Sequence, residues 1–240
     1  MSQNKRSPSS DAVEHLTFGQ LRILGRMPYS SNATFLIKVS NDVTSLQGIY
    51  KPHRGERSLW DFPGGLFMRE VAAYKLSEAL GWNLIPLTVL RPEGPHGEGS
   101  VQLFIDADFE QHYFSLFERS ELRPQFKKFA LFDIIANNAD RKSGHLLIDA
   151  NDHIWGIDQG LCFHYEPKLR TVIWEFAGEA IPDELLEDLK AKRDRCIDAL
   201  HDLLSPLELD AVDSRIQYVL RKQRFPVPDP DMRCYPWPLI

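Results

Sequence analysis

Between Asn138 and Gly160 the sequence reads NADRKSGHLLIDANDHIWGIDQG, which gathers the residue types that phosphoryl transfer requires. That chemistry needs one carboxylate to orient or deprotonate an attacking hydroxyl, and a cation to neutralise the transferring group. It also needs hard oxygen ligands to hold a metal on the phosphates. Asp140 supplies the first carboxylate, Lys142 the cation and Asp158 the metal ligand, and Gly160 gives the backbone freedom to turn away afterwards. Taken alone, Asp140-Arg141-Lys142 also reads as a solvated charged turn. Asp158 decides between the two. It follows the apolar run Ile154-Trp155-Gly156-Ile157, and a carboxylate that ends a buried strand is costly unless it is paired or binds a metal. The plainer alternative is a turn-capping Asp before Gly160.

The elements that must position these residues fall into two unlike halves. From Leu16 to Pro52 the pattern is strand-like: LRILGRMPYSSNATFLIKVS predicts a hairpin with a Gly/Ser/Asn-rich turn, and LQGIYKP the next strand. After the polar connection HRGERSLWDFPGG, the stretch MREVAAYKLSEAL carries apolar residues at helical spacing and stops at Gly81. Two short strands, LIPLTVL and SVQLFI, flank a turn-rich segment. From Phe109 the character changes to helix, ending in KKFALFDIIANN, and HLLIDA and HIWGID then predict a small hairpin turning at Asn151 and Asp152. Long helices follow, up to Arg221. The last stretch, FPVPDPDMRCYPWPLI, is too rich in proline for regular structure and is expected to wrap the surface. The expectation is an α+β fold. Residues 1–14 are expected to be a polar, disordered lead-in, 15–104 a β-rich nucleotide-binding lobe with one helix, 105–225 a helical lobe with the catalytic loop, and 226–240 a Pro-rich tail.

In Asp140-Arg141 after Asn138, Ile157-Asp158-Gln159-Gly160, Lys51-Pro52 and Glu70, the chain resembles the bacterial phosphatidylinositol 3- and 4-kinase-like proteins. These are relatives of the type II phosphatidylinositol 4-kinases and the HipA-type kinases. The resemblance spans roughly Ser30 to Phe176 and lies in the order and spacing of short motifs. It implies a protein-kinase-like fold of two lobes with the ATP site between them, and magnesium or manganese as the metal. It makes Lys51 the strand lysine on the ATP phosphates and Glu70 its ion-pair partner. Ser30, Ser31 and Asn32 become a turn covering the phosphates with backbone N–H groups, and Gln102, Leu103 and Phe104 the hinge strand that receives the adenine. Asp140 becomes the catalytic aspartate and Asp158 the metal-binding one. One position departs from the pattern: where the kinase loop carries a second, Asn metal ligand, this sequence has His145. Magnesium prefers oxygen, whereas imidazole suits softer ions such as manganese. His145 is thus a manganese ligand, a phosphate contact or the mark of a weakened site.

Composition narrows the function classes. Of the 240 residues 43% are apolar and 26% charged, enough to bury a core. The net charge of −6 argues against a protein that coats nucleic acid. No apolar run is long enough to span a bilayer. Cys162, Cys196 and Cys234 form neither a zinc pattern nor a disulfide framework, so a reducing cytoplasm is expected. The acceptor is expected to be a hydroxyl of a protein or a small soluble alcohol rather than a membrane lipid, because there is no polybasic stretch. Two other functions share the pattern. One is a pseudokinase, which binds ATP without turnover; the other is nucleotidyl transfer by the same fold. His53, Arg54 and Arg57 read either as a solvated loop or as a flap over phosphate.

Overall fold

The alternating apolar residues between Leu21 and Tyr50 close three strands into one antiparallel sheet, as their spacing predicts. The computed structural model describes residues 10–28, 30 and 32–240, and it divides the chain into two compact units. The first comprises Met1–Val71 and Pro86–Ile105, the second Ala72–Ile85 and Asp106–Ile240.

In the first unit, strands β1 (Gln20–Arg26), β2 (Phe35–Ser40), β3 (Ser45–Pro52), β4 (Thr88–Arg91) and β5 (Gly99–Leu103) form a sheet of order β1-β2-β3-β5-β4, every neighbouring pair antiparallel. Ile37, Val39, Tyr50 and Val101 alternate onto its buried face. A helix α1 (Ser10–Phe18) precedes β1, so residues 10–14 are helical where the polar composition predicted an unstructured lead-in. Leu16 supplies the reason. It is completely buried, and Arg91 donates to the Leu16 and Gly19 carbonyls at 2.9 and 2.7 Å, which fastens the helix end to β4. A single apolar anchor and a distant arginine leave no periodic signal in a short polar stretch.

Helix α2 (Leu66–Leu80) covers the stretch whose spacing predicted it. Gly81 ends it at φ +67°, a left-handed conformation that glycine adopts without steric penalty. The boundary between the units falls within this helix, so residues 72–85 group with the second unit rather than with the lobe expected to run from 15 to 104.

The second unit contains α3 (Tyr113–Leu116), α4 (Arg123–Ala136), α5 (Asp183–Leu200) and α6 (Pro206–Lys222), and a three-stranded sheet of order β6-β7-β8 from Ala107–Asp108, Leu146–Asp149 and Ile154–Gly156. The last two are the predicted hairpin. Its turn is held by Asp149, whose Oδ1 accepts the N–H groups of Asn151 and His153, while Asp152 takes a positive φ. Helix α6 begins with a capping box, Ser205 and Glu208 bonding reciprocally. Phe176 is buried and Trp174 half-buried. The Pro-rich tail has no helix or strand, as expected, yet it is fastened by specific bonds. The Cys234 carbonyl accepts from Thr171 N at 3.1 Å and Trp174 Nε1 at 3.0 Å, and the Leu239 carbonyl accepts from Ser143 N at 2.8 Å. Among the described residues, no helix is long and apolar enough to cross a membrane.

Candidate active site

In the first unit, β3 delivers Lys51 and α2 delivers Glu70, and the two side chains form a close ion pair in which Glu70 is buried. The sheet dictates the direction of Lys51. Tyr50 points into the core, so Lys51, the next residue, points to the opposite face. Helix α2 is fixed by a residue that the sequence reading passed over, Glu56. Its carboxylate accepts the Gly65 N–H at 2.9 Å and the Phe67 N–H at 2.8 Å, satisfying donors at the helix start and favouring its positive dipole end. Only a Glu within a polar loop marked it, and most such residues are solvated.

The other first-unit candidates have structural partners. Ser30 Oγ bonds Thr34 Oγ1 at 2.8 Å, and Asn32 Oδ1 accepts the Arg57 N–H at 2.9 Å. Ser31 lies outside the described residues. Gln102 is buried and donates to Thr88 Oγ1 at 2.9 Å. The N–H groups of Leu103 and Phe104 donate to the Leu87 and Gln47 carbonyls at 2.8 and 3.0 Å. Within the flap segment, His53 pairs with Glu98 at 3.3 Å.

In the second unit, α4 ends at Asn137 in the left-handed conformation (φ +50°), and the following loop carries the candidate residues Asp140, Lys142 and His145. Asn138 Oδ1 accepts the Asp140 N–H at 2.9 Å, and Lys142 Nζ lies 3.0 Å from Asp140 Oδ2. Burial lifts the Asp140 carboxyl above the ordinary carboxylate range against the opposing pull of Lys142, and the charge of Asp158 lifts it further. Asp158 follows β8 at φ +59°, with its side chain 53% exposed, and His145 Nε2 lies 3.6 Å from its Oδ2. The Ile157 N–H donates to the His145 carbonyl at 3.0 Å, which ties the loop to the end of the hairpin.

His145 Nδ1 lies 3.4 Å from the Lys142 N–H, and its Nε2 is turned toward Asp158. With the proton on Nε2 the ring is a partner of the carboxylate; with the proton on Nδ1, Nε2 offers a lone pair to a metal beside it. Among the described residues no three His, Cys, Asp or Glu side chains converge into a ready-made metal cage. One accessible carboxylate with a flanking imidazole can hold a divalent ion that takes its remaining oxygens from water.

Arg141 is wholly buried rather than part of a solvated charge cluster. Its guanidinium sits on Asp133, also fully buried, with Nη2–Oδ1 at 2.9 Å and Nε–Oδ2 at 3.1 Å. Asp133 accepts in addition from Asn138 Nδ2 and Thr171 Oγ1, each at 3.1 Å. Burial opposes the charge on Arg141, but the carboxylate of Asp133 more than offsets it and holds the guanidinium pKa above its usual value. The sequence signal for this pair was the eight-residue separation of opposite charges across the end of an apolar helix, which by itself is weak.

A β-rich first unit with a lysine–glutamate pair, and a helical second unit whose loop and hairpin carry Asp140 and Asp158, define a protein-kinase-like fold. Solved structures agree. The Helicobacter pylori proinflammatory kinase CtkA matches with a TM-score of 0.53 at 11% identity over 88% of this chain and 94% of its own. The golgi casein kinase matches at 0.56 and 13%, over 90% and 78%. Hydra Fam20 with sugar matches at 0.58 and 14%, over 90% of both chains. No family profile matches the chain. It is 36% identical over 261 aligned positions, 93% of each chain, to Protein Rv2133c of Mycobacterium tuberculosis (strain ATCC 25618 / H37Rv), and it belongs to the same family.

Proposed function

We propose that this protein is an ATP- and divalent-metal-dependent phosphotransferase that moves the γ-phosphoryl group to a hydroxyl of a protein or of a small soluble alcohol. The observation that carries the reading is a run of contacts in the second unit, from Lys142 Nζ to Asp140 Oδ2 at 3.0 Å and from His145 Nε2 to Asp158 Oδ2 at 3.6 Å. The loop after α4 thus carries Asp140 and, through His145, reaches the aspartate that follows β8. In this reading Lys51, steadied by Glu70, takes the ATP phosphates. Asp158 holds magnesium or manganese, which neutralises charge on those phosphates. Asp140, partly desolvated and with a raised pKa, is suited to orient an acceptor hydroxyl and take its proton, while Lys142 compensates developing negative charge. Ser30 to Asn32 would cover phosphate, and the strand through Gln102, Leu103 and Phe104 would border the adenine. The N–H groups of Leu103 and Phe104 already serve the sheet, so a donor to adenine would come from beyond them. The relation to the phosphatidylinositol 3-/4-kinase-like and HipA-type kinases belongs to the same reading and rests on the residues quoted for it. A cytoplasmic setting is supported by three buried thiols without a disulfide among them.

One observation favours a second reading. His145 stands where the resembled loop carries an Asn metal ligand, and magnesium prefers oxygen to imidazole, which suits a pseudokinase that binds nucleotide weakly with metal. The test is phosphate release and self-phosphorylation by the purified chain with γ-labelled ATP, in magnesium and in manganese, beside Asp140→Asn. Label transfer that depends on metal and is lost in the variant supports the kinase. Nucleotide binding without turnover supports the pseudokinase, and transfer of label from α-labelled ATP supports nucleotidyl transfer.

A further inference from the structure

Asp158 is a non-glycine residue at φ +59°, a left-handed conformation uncommon outside glycine and taken most often by Asn and Asp. The contacts that hold it lie on both sides of it. Arg141 Nη1 donates to the Ile157 carbonyl at 3.2 Å, and Arg141 Nη2 donates to Gln159 Oε1 at 2.9 Å. One guanidinium thus grips the residue before Asp158 and the residue after it. Gln159 is fully buried and closes the turn on itself, with Nε2 donating to the Ile157 carbonyl at 2.9 Å. Asn138 Nδ2 also reaches Gln159 Oε1, at 3.3 Å. Behind Arg141 stands Asp133, which takes Nε and Nη2 of the guanidinium and is itself braced by Asn138 and Thr171. The charged pair is therefore aimed at the backbone of a left-handed, solvent-facing aspartate.

We infer that Asp133, Arg141 and Gln159 are positioning residues for metal binding, locking Asp158 in the left-handed conformation that presents its carboxylate. The inference rests on the reading of Asp158 as the metal ligand. Planarity explains the choice of arginine: a fork can bond a carboxylate on one edge and two backbone-linked acceptors on another, which a lysine ammonium cannot. Burial keeps the clamp dry, so the geometry does not relax when the exposed carboxylate exchanges water for an ion. The arrangement is a buried support beneath a ligand, and losing such support typically weakens metal affinity by about 10–100-fold.

The experiment titrates Mn2+ alone into the full chain and reads the free ion by electron paramagnetic resonance. Thermal melting and near-ultraviolet circular dichroism check the fold. Gln159→Leu, which keeps volume and removes both polar ends, is expected to weaken Mn2+ by about tenfold or more. Arg141→Lys keeps a charge on Asp133 but loses the fork, and is expected to do the same. Leu189→Ala, a fully buried position in α5, is the control for general destabilisation: it lowers the melting temperature and leaves Mn2+ affinity within twofold. Folded Gln159→Leu and Arg141→Lys proteins that bind Mn2+ as the wild type does would overturn the inference. So would a Leu189→Ala protein that loses as much affinity as they do. Asp158→Asn separates this outcome from failure of the underlying reading. If that variant binds Mn2+ normally, Asp158 is not the ligand. If it loses Mn2+ while the other two keep it, the ligand stands and the clamp falls.

Discussion

Replacing Asp133 by Asn changes one atom and leaves the shape of the side chain intact, yet it strands the Arg141 guanidinium without a counter-charge. Both residues are fully buried, so no water enters to compensate. Removing one partner of a buried pair typically costs about 3–5 kcal/mol. The environment places this pair at the upper end, because the carboxylate accepts from four groups: Arg141 Nε and Nη2, Asn138 Nδ2 and Thr171 Oγ1. An amide can accept on one atom only and turns a donor toward the guanidinium. For a chain of this size each kcal/mol lowers the melting temperature by about 2–4 °C, so the loss expected is roughly 6–20 °C. Differential scanning calorimetry and urea titration at pH 7 measure it. The companion is the double variant Asp133→Leu with Arg141→Leu, which removes both charges. It is expected to recover part of the loss, because no lone charge remains, and to stay below the wild type, because Gln159 and the Ile157 carbonyl lose donors. An Asp133→Asn protein within about 1 kcal/mol of the wild type would refute the reasoning, since it would mean the guanidinium is solvated or paired elsewhere.

Three further outcomes follow from the site. Lys51→Ala is expected to weaken ATP binding about 10–100-fold, the equivalent of the ~1.5–3 kcal/mol of a hydrogen bond to a charged group; unchanged affinity by calorimetric titration refutes the assignment. Asp140→Asn is expected to abolish label transfer and to raise the melting temperature at pH 7. The folded-state pKa of Asp140 is raised, so ionising it destabilises the fold. The gain of the variant over the wild type therefore shrinks as pH falls from 7 through that pKa, and vanishes below about 3.9, the unfolded value. A variant no more stable than the wild type at pH 7 contradicts this sign. Glu56→Ala removes the acceptor for two N–H groups at the start of α2 and is expected to cost about 1–2 kcal/mol. Glu56→Gln, which keeps an acceptor, should recover part of that, and equal melting points for the two variants count against the cap.

What the sequence made legible was whatever depends on local pattern. The hairpin between Leu146 and Gly156 announced itself through two short apolar stretches joined by Asn151 and Asp152, and α2 through apolar spacing and Gly81. The pairing of Lys51 with Glu70 was foreseen only through the resemblance to the kinase-like family, since a long polar connection separates β3 from α2. Arg141 could not be placed, because a charged triplet looks the same whether it faces water or a buried carboxylate, and only the fold brings Asp133 beneath it. Glu56 was invisible for a similar reason: its partners are backbone N–H groups, which every residue but proline carries. The helix at Ser10–Phe18 depends on Leu16 and the remote Arg91, so nothing adjacent in the chain declares it.

The bond from Ser143 N to the Leu239 carbonyl fastens the loop that carries Asp140 to a segment with no helix or strand of its own. Such a strap opens as a zipper does, from its own few attachments, rather than with the melting of the core. The Ser143 amide hydrogen can exchange with solvent whenever that strap lifts, so its protection reports the tail's opening and not the global stability. A ligand or an antibody that grips the prolines would then be read out several residues from Asp140 as a change in how quickly one backbone proton is lost.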